Sequence, residues 1–273
     1  MLGKLIKHEW KSTYKMGCLI LGAMVLITFL GWLAFQTPMW KSLGGRGGSF
    51  GWLDILSIIT LMMYVMLLVC ANFGLLIYVG VHFYRTMYTD EGYLTHTLPV
   101  TKGQILFSKV LVSGLWMLFM VLAEYLSFCV LGMTVAATVF PERPLLQLWS
   151  EFSYGLWGFF REMGSIVELE VARMLVTFVI ASLVGPFTTV IILFGAISIG
   201  QLASRYRFFM GVLCYIGILV ANSMISGIFR SFAVSAGGYL NASMNSSYFV
   251  NLLMAVVMYV VSWHVINRKL NLT

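Results

Sequence analysis

Side chains able to do acid–base, nucleophilic or metal chemistry are scarce in this 273-residue chain, which has ten Asp and Glu, four His and four Cys. The histidines are His8, His82, His96 and His264, and none has the His-Glu-x-x-His spacing that holds a catalytic zinc. The cysteines, Cys18, Cys70, Cys129 and Cys214, lie singly inside or at the edge of apolar blocks, with no Cys-x-x-Cys or Cys/His grouping. Neither a zinc site nor a disulfide framework is indicated, and the thiols read as reduced and packed like small hydrophobes. Gly44-Gly45-Arg46-Gly47-Gly48 could be mistaken for a phosphate cradle. It lacks the Lys-Ser/Thr ending and follows no strand, so residues 41–51 read instead as a flexible external loop. No catalytic set emerges. The chain is therefore not expected to be an enzyme or to bind a metal or cofactor of its own.

Two carboxylates stand out by their surroundings. Glu124 is the one acid well inside an apolar block. A charge there is costly, so it should face a bundle interior or a water-filled path. It is either a substrate or proton site, or a protonated carboxyl bonded to a neighbouring helix. Glu9 interrupts an amphipathic stretch, Leu2 to Lys15. On a helix, Lys4, Lys7, Lys11 and Lys15 form one stripe, with Leu2, Leu5 and Ile6 opposite and Trp10 at their flank. Lysines toward head groups and an apolar face in the acyl boundary define an interfacial helix over residues 1–16. Glu9 projects from its apolar side, and its neighbours one turn away are Leu5, Ile6, Ser12 and Thr13, none of them basic. It either snorkels to water or is protonated, or this side faces protein and the carboxylate meets a partner there.

The elements that must position these residues are set by composition. Hydrophobic residues make up 60% of the chain and charged residues 10%, against about 25% charged in soluble domains, too few to coat a water-facing surface. The apolar blocks are continuous rather than alternating and long enough to cross a bilayer, which takes about 20 residues per helix. The expected fold is an all-α polytopic membrane protein, one transmembrane domain over residues 1–273. Six spans are expected, at about Gly17–Gln36, Leu53–Phe83, Gln104–Val135, Arg173–Ile199, Phe208–Phe229 and Tyr248–Ile266. Roughly sixteen residues precede the first block and no convincing cleavage site follows it, so that span should stay in the mature protein. Gly185-Pro186 inside the fourth span predicts a kink, either a hinge or a static bend.

The net charge of +7 does not point to nucleic acid, because the basic residues flank the helices. Lys4, Lys7, Lys11, Lys15, Arg85, Lys102, Lys109, Arg205, Arg207, Arg268 and Lys269 fall on the side of the termini. Lys41, Arg46, Arg143, Arg161, Arg173 and Arg230 fall on the other. The positive-inside rule then places both termini in the cytoplasm. The connector 140–170 between the third and fourth spans is long for a plain loop. Within it Leu145, Leu148, Trp149, Phe152, Leu156, Phe159, Phe160 and Met163 recur at three- and four-residue steps, which predicts an external amphipathic helix on the outer leaflet. It reads as a lid or as the wall of an exit. The acids Glu162, Glu168 and Glu170 nearby could attract a cationic substrate.

The most polar stretch of the first half is the cytoplasmic segment 84–103, Tyr84-Arg85-Thr86-Met87-Tyr88-Thr89-Asp90-Glu91-Gly92-Tyr93-Leu94-Thr95-His96-Thr97-Leu98-Pro99-Val100 and onward. Gly92 can end a helix in the left-handed conformation, and Pro99 stops a helix from running through it. Thr101 and Gln104 match a capping box opening the third span. These features predict an ordered elbow. Its Asp90 and Glu91 and the rings of Tyr88 and Tyr93 suit a contact surface with a polar rim.

Asp90-Glu91-Gly92-Tyr93-Leu94-Thr95, then Leu98-Pro99-Val100, Gln104-Ile105-Leu106 and Lys109, resembles permease subunits of ABC-2-type ABC transporters. The amphipathic start with Glu9 is similar to that family's interfacial connecting helix. Ile197-Ser198-Ile199-Gly200-Gln201-Leu202 with Arg205 is similar to the inner end of its fourth span. The resemblance touches three separate parts, and its six-span layout covers the whole chain. It implies the membrane subunit of an ABC exporter in the cell membrane. Tyr84, Arg85, Tyr88, Asp90, Glu91, Gly92, Tyr93, Leu94, Leu98 and Pro99 would form a coupling segment against a separate ATP-binding subunit, and Glu9 and Trp10 would belong to the interfacial helix. ATP and magnesium would then sit on that partner, consistent with the missing Walker motif, and a second permease chain, like or unlike, would complete the membrane path. The competing expectations are a proton-coupled secondary transporter using Glu124 and a non-transporting membrane sensor or immunity protein. Membrane lipid is a partner in every case.

Overall fold

A computed structural model describes residues 2–35, 52–89, 91–92, 100–139, 150, 153–155, 158, 168–203, 205–235 and 241–268. Its elements are α1 (Leu2–Phe35), α2 (Trp52–Tyr88), α3 (Lys102–Val139), α4 (Glu168–Gly200), α5 (Arg207–Ser235) and α6 (Asn241–Arg268). There is no strand among the described residues. The shortest of the six helices has 28 residues, and each is long and apolar enough to cross a membrane. At about 1.5 Å rise per residue, each exceeds a hydrocarbon core of about 30 Å. Their outward faces carry residues such as Leu19, Val25, Met62 and Met66, all more than half exposed. Such faces are stable only against lipid or another apolar surface. The chain is a multi-pass membrane protein whose described residues are helical apart from short turns.

The helices run further than the hydropathy blocks. No boundary separates an interfacial helix at residues 1–16 from the first span, because Leu2–Phe35 is one uninterrupted helix. The stretch Lys11 to Cys18 holds only one glycine and no proline, so nothing stops the hydrogen-bond ladder there. The lysine stripe is nonetheless real: Lys4, Lys7, Lys11 and Lys15 are exposed while Thr13 is buried. α2 continues past Phe83 to Tyr88, and α4 begins at Glu168 rather than Arg173. α4 passes through Pro186. Gly185 just before it carries no Cβ to clash with the proline ring, and its carbonyl accepts from the hydroxyls of Thr188 and Thr189 at 2.8 and 3.0 Å. The glycine-rich loop 41–51 lies outside the described residues, which resume with α2 at Trp52. The expected external helix also lies outside them, apart from residues 150, 153–155 and 158.

Backbone packing divides the chain into two compact units. The first comprises Met1–Lys15, Leu76–Leu118 and Ala172–Thr273. Its α2–α4 contact is a stacked pair, Phe83 on Phe194, with ring centroids 3.8 Å apart. Small residues let helix backbones approach, as membrane bundles require. A Cβ on Gly200 would collide with the backbone of Gly211, and one on Gly114 would enter the ring of Phe187. The α4–α5 connection closes with short turns, including Leu202 N–H to the Ile199 carbonyl at 2.9 Å. It then enters α5 through Tyr206, whose φ of 55° is left-handed and whose carbonyl accepts the first α5 bond, from Met210, at 3.0 Å.

The second unit comprises Met16–Leu75 and Phe119–Val171. Its core holds a row of hydroxyls from three helices. Thr28 donates its proton to the Met24 carbonyl at 2.9 Å, so Ser127 must donate to Thr28, 2.6 Å away, and Tyr64 in turn to Ser127. Each buried hydroxyl is thereby satisfied without water, as an apolar surrounding demands. Tyr64 also meets the edge of Phe35, centroids 6.2 Å apart.

Candidate functional site

The polar centre of the first unit is built on Glu9. One face of α1 is fixed by aromatic packing: Trp10 stacks on Trp116 of α3 with centroids 4.9 Å apart and planes 18° from parallel. Trp116 Nε1 donates to Thr13 Oγ1 at 3.1 Å, and Thr13 Oγ1 donates back to the Glu9 carbonyl at 3.0 Å. This docking turns the Glu9 side chain inward, where it is 12% exposed.

Lys109 of α3 meets it there. Its Nζ donates to both carboxylate oxygens, at 2.9 and 3.0 Å, and to Thr86 Oγ1 at 2.8 Å. All three ammonium protons are used. Thr86 Oγ1 acts as an acceptor here because its own proton goes to the His82 carbonyl, 2.7 Å away. His82 Nε2 lies 3.0 Å from Glu9 Oε1, and the imidazole stacks near Tyr78. The Lys109 side chain is only 4% exposed, so this is a buried ion pair, tolerable because nearly every donor is matched. It joins three chain segments: the start of α1, the end of α2 and the start of α3.

The last two flank segment 84–103, of which residues 84–89, 91, 92 and 100–103 are described. Tyr88 is half-buried and turns its hydroxyl toward α4. Its hydroxyl donates to Ser198 Oγ of α4 at 2.8 Å, and Ser198 passes its own proton to the Phe194 carbonyl at 2.8 Å. Tyr84 meets the edge of Phe208. Arg85 and Glu91 pair at 3.1 Å with both side chains more than half exposed, an arrangement that contributes about 0–1 kcal/mol.

Gly92 is buried, and its amide donates to the Thr89 carbonyl at 2.7 Å. Its backbone is not left-handed, contrary to expectation. What demands glycine is closeness, since a Cβ there would lie 2.6 Å from the Met87 carbonyl oxygen. At the far side of the elbow, the amides of Gln104 and Ile105 donate to the Thr101 carbonyl at 2.9 and 3.2 Å, which opens α3. Asp90, Tyr93, Leu94, Leu98 and Pro99 lie outside the described residues.

Glu124 belongs to the second unit. Its Oε1 accepts from Asn72 Nδ2 of α2 at 2.8 Å. Both residues are half-buried. The carboxyl is thus bonded to a neighbouring helix rather than left alone among apolar side chains.

Sequence reasoning named Glu9 and Trp10 but missed His82, Thr86, Lys109 and Trp116 as their companions, and it named Tyr88 but missed Ser198 as its partner. One signal was available: Glu9 is an acid with no base on its own helix face, and Lys109 is a base inside an apolar run with no acid near it in sequence. No group of His, Cys, Asp and Glu among the described residues could hold a metal ion. No family model matches the chain, and neither a curated protein nor a solved structure matches it.

Proposed function

We propose that this chain is the membrane-spanning permease subunit of an ATP-driven exporter of the ABC-2 type, seated in the cell membrane with both termini in the cytoplasm. The observation that carries this reading is the buried Glu9–Lys109 pair with His82 and Thr86. It locks the start of α1 to the two helices that flank the elbow. A polar segment between two membrane helices can transmit a push only if those helices move as one body. Glu9 supplies that rigidity with three contacts to two partners, His82 of α2 and Lys109 of α3. The residue pattern around Asp90 to Leu94 is what favours an ATP-binding subunit as the source of the push. ATP and magnesium would be bound there and not by this chain, and a second permease chain would complete the path.

The test is reconstitution of the chain with its ATP-binding subunit in liposomes. Glu91→Lys and Gly92→Pro should leave the chain inserted and ATP turnover present while flux falls at least tenfold. Normal flux in both variants would remove the elbow from the mechanism. The proton-coupled alternative rests on the Asn72–Glu124 pair. It requires flux that collapses with the proton gradient and is abolished in Glu124→Gln, with no dependence on ATP.

A further inference from the structure

Within the first unit, α4, α5 and α6 enclose a cleft of about 380 Å³. Its lining on α4 runs from Thr177 to Ile192, which at about 1.5 Å per residue is about 22 Å of helix, most of a hydrocarbon thickness of about 30 Å. The wall is mainly apolar, and no charged side chain lines it. A patch of polar groups interrupts it: the hydroxyls of Thr188 and Thr189 and the amide of Asn251, with Tyr215 opposite.

Thr188 and Thr189 have given their protons to the Gly185 carbonyl, so they face the cleft as acceptors. Asn251 Oδ1 accepts from Asn222 Nδ2 on α5. Asn222 holds Asn251 in place but does not itself line the cleft. A concave, apolar site with a few converging polar groups between bundle helices is the usual form of a small-molecule site.

We infer that this cleft binds an uncharged amphiphile of the membrane, with its chain along α4 and a hydroxyl or amide N–H donor at the Thr188–Asn251 patch. An ionic head group is disfavoured, because nothing in the wall would compensate its charge. A purely hydrocarbon chain would offer the Thr188 and Thr189 oxygens no donor. This inference does not depend on the transport reading, since it concerns occupancy of the cleft alone.

The test uses the full-length chain in nanodiscs and two photoactivatable lipids, a diazirine-bearing diacylglycerol and the matching phosphatidylglycerol. The diacylglycerol should label peptides carrying Thr188–Thr189 and Asn251 several-fold more than the anionic lipid does. Asn251→Leu, which removes one neutral hydrogen-bonding group, should cut that labelling about fivefold. Ala181→Phe, which puts a ring into the cleft, should abolish it while labelling of other helices persists. Equal labelling by both lipids overturns the inference, as does labelling that survives Ala181→Phe. Should either variant fail to fold, competition on the parent chain decides. Loss of the cleft label under excess unlabelled dioleoylglycerol supports the site, and an unchanged label refutes it.

Discussion

At the residue scale, the Glu9–Lys109 pair is the feature with the largest expected energetic consequence. Removing one member of a buried pair leaves an uncompensated charge, which costs about 3–5 kcal/mol, whereas replacing both by apolar groups is often nearly neutral. Lys109→Met should therefore lower the unfolding temperature of the detergent-solubilised chain sharply, and Glu9→Leu with Lys109→Met together should recover most of the loss. Additive losses in the double variant would show that the two residues do not act as a pair. His82→Phe should cost less than Lys109→Met, because the imidazole contributes one contact to Glu9 and the ammonium contributes two. The sequence displayed both charges, but pairing them required knowing that α1 and α3 meet. That contact is made by Trp10 on Trp116, and no pattern within either helix encodes it. Tyr88 is the opposite case. Its position near the elbow pointed to a contact surface, while its hydroxyl has a buried partner in Ser198 that lies 110 residues away in the chain.

At the scale of elements, the α4–α5 connection offers a clean test. Tyr206 is held at φ 55°, where a side chain costs about 1–2 kcal/mol relative to glycine. Tyr206→Gly should be neutral or stabilising by up to about 1 kcal/mol in thermal unfolding. A marked loss would mean that the Tyr206 ring contributes more than its backbone costs. Gly200→Val should do the reverse, since the added carbons must push α5 away at Gly211. The number and order of helices were legible from hydropathy because about 20 apolar residues per span is a length set by the bilayer. Helix ends were less so: α1 runs unbroken from Leu2 and α2 reaches Tyr88, because polar residues past the hydrocarbon edge continue a helix as readily as apolar ones. The requirement at Gly92 was read as conformational and is steric instead, a distinction that only the position of the Met87 carbonyl reveals.

At the scale of the whole molecule, the distribution of Lys and Arg argues for both termini in the cytoplasm. A chain stripped of its four cysteines and given one at position 205 should react with an impermeant maleimide only after the membrane is opened, when assayed in intact cells. Reaction without permeabilisation would invert the topology and overturn the proposed coupling role of segment 84–103. The native thiols are free, and Cys18, Cys70 and Cys129 are exposed on the protein surface. Their replacement by serine or alanine should therefore cost little, which makes the experiment practicable.

The stacked indoles of Trp10 and Trp116 have a use of their own. Two such rings 4.9 Å apart share their excited state, so the pair absorbs and fluoresces differently from two separated tryptophans. The chain thereby carries a built-in optical gauge of whether α1 is docked on α3, readable in real time without any attached dye. If the proposed ATP-binding subunit drives this chain, a spectral change on adding nucleotide to the two together, absent in Trp10→Phe, would report the amino-terminal helix letting go.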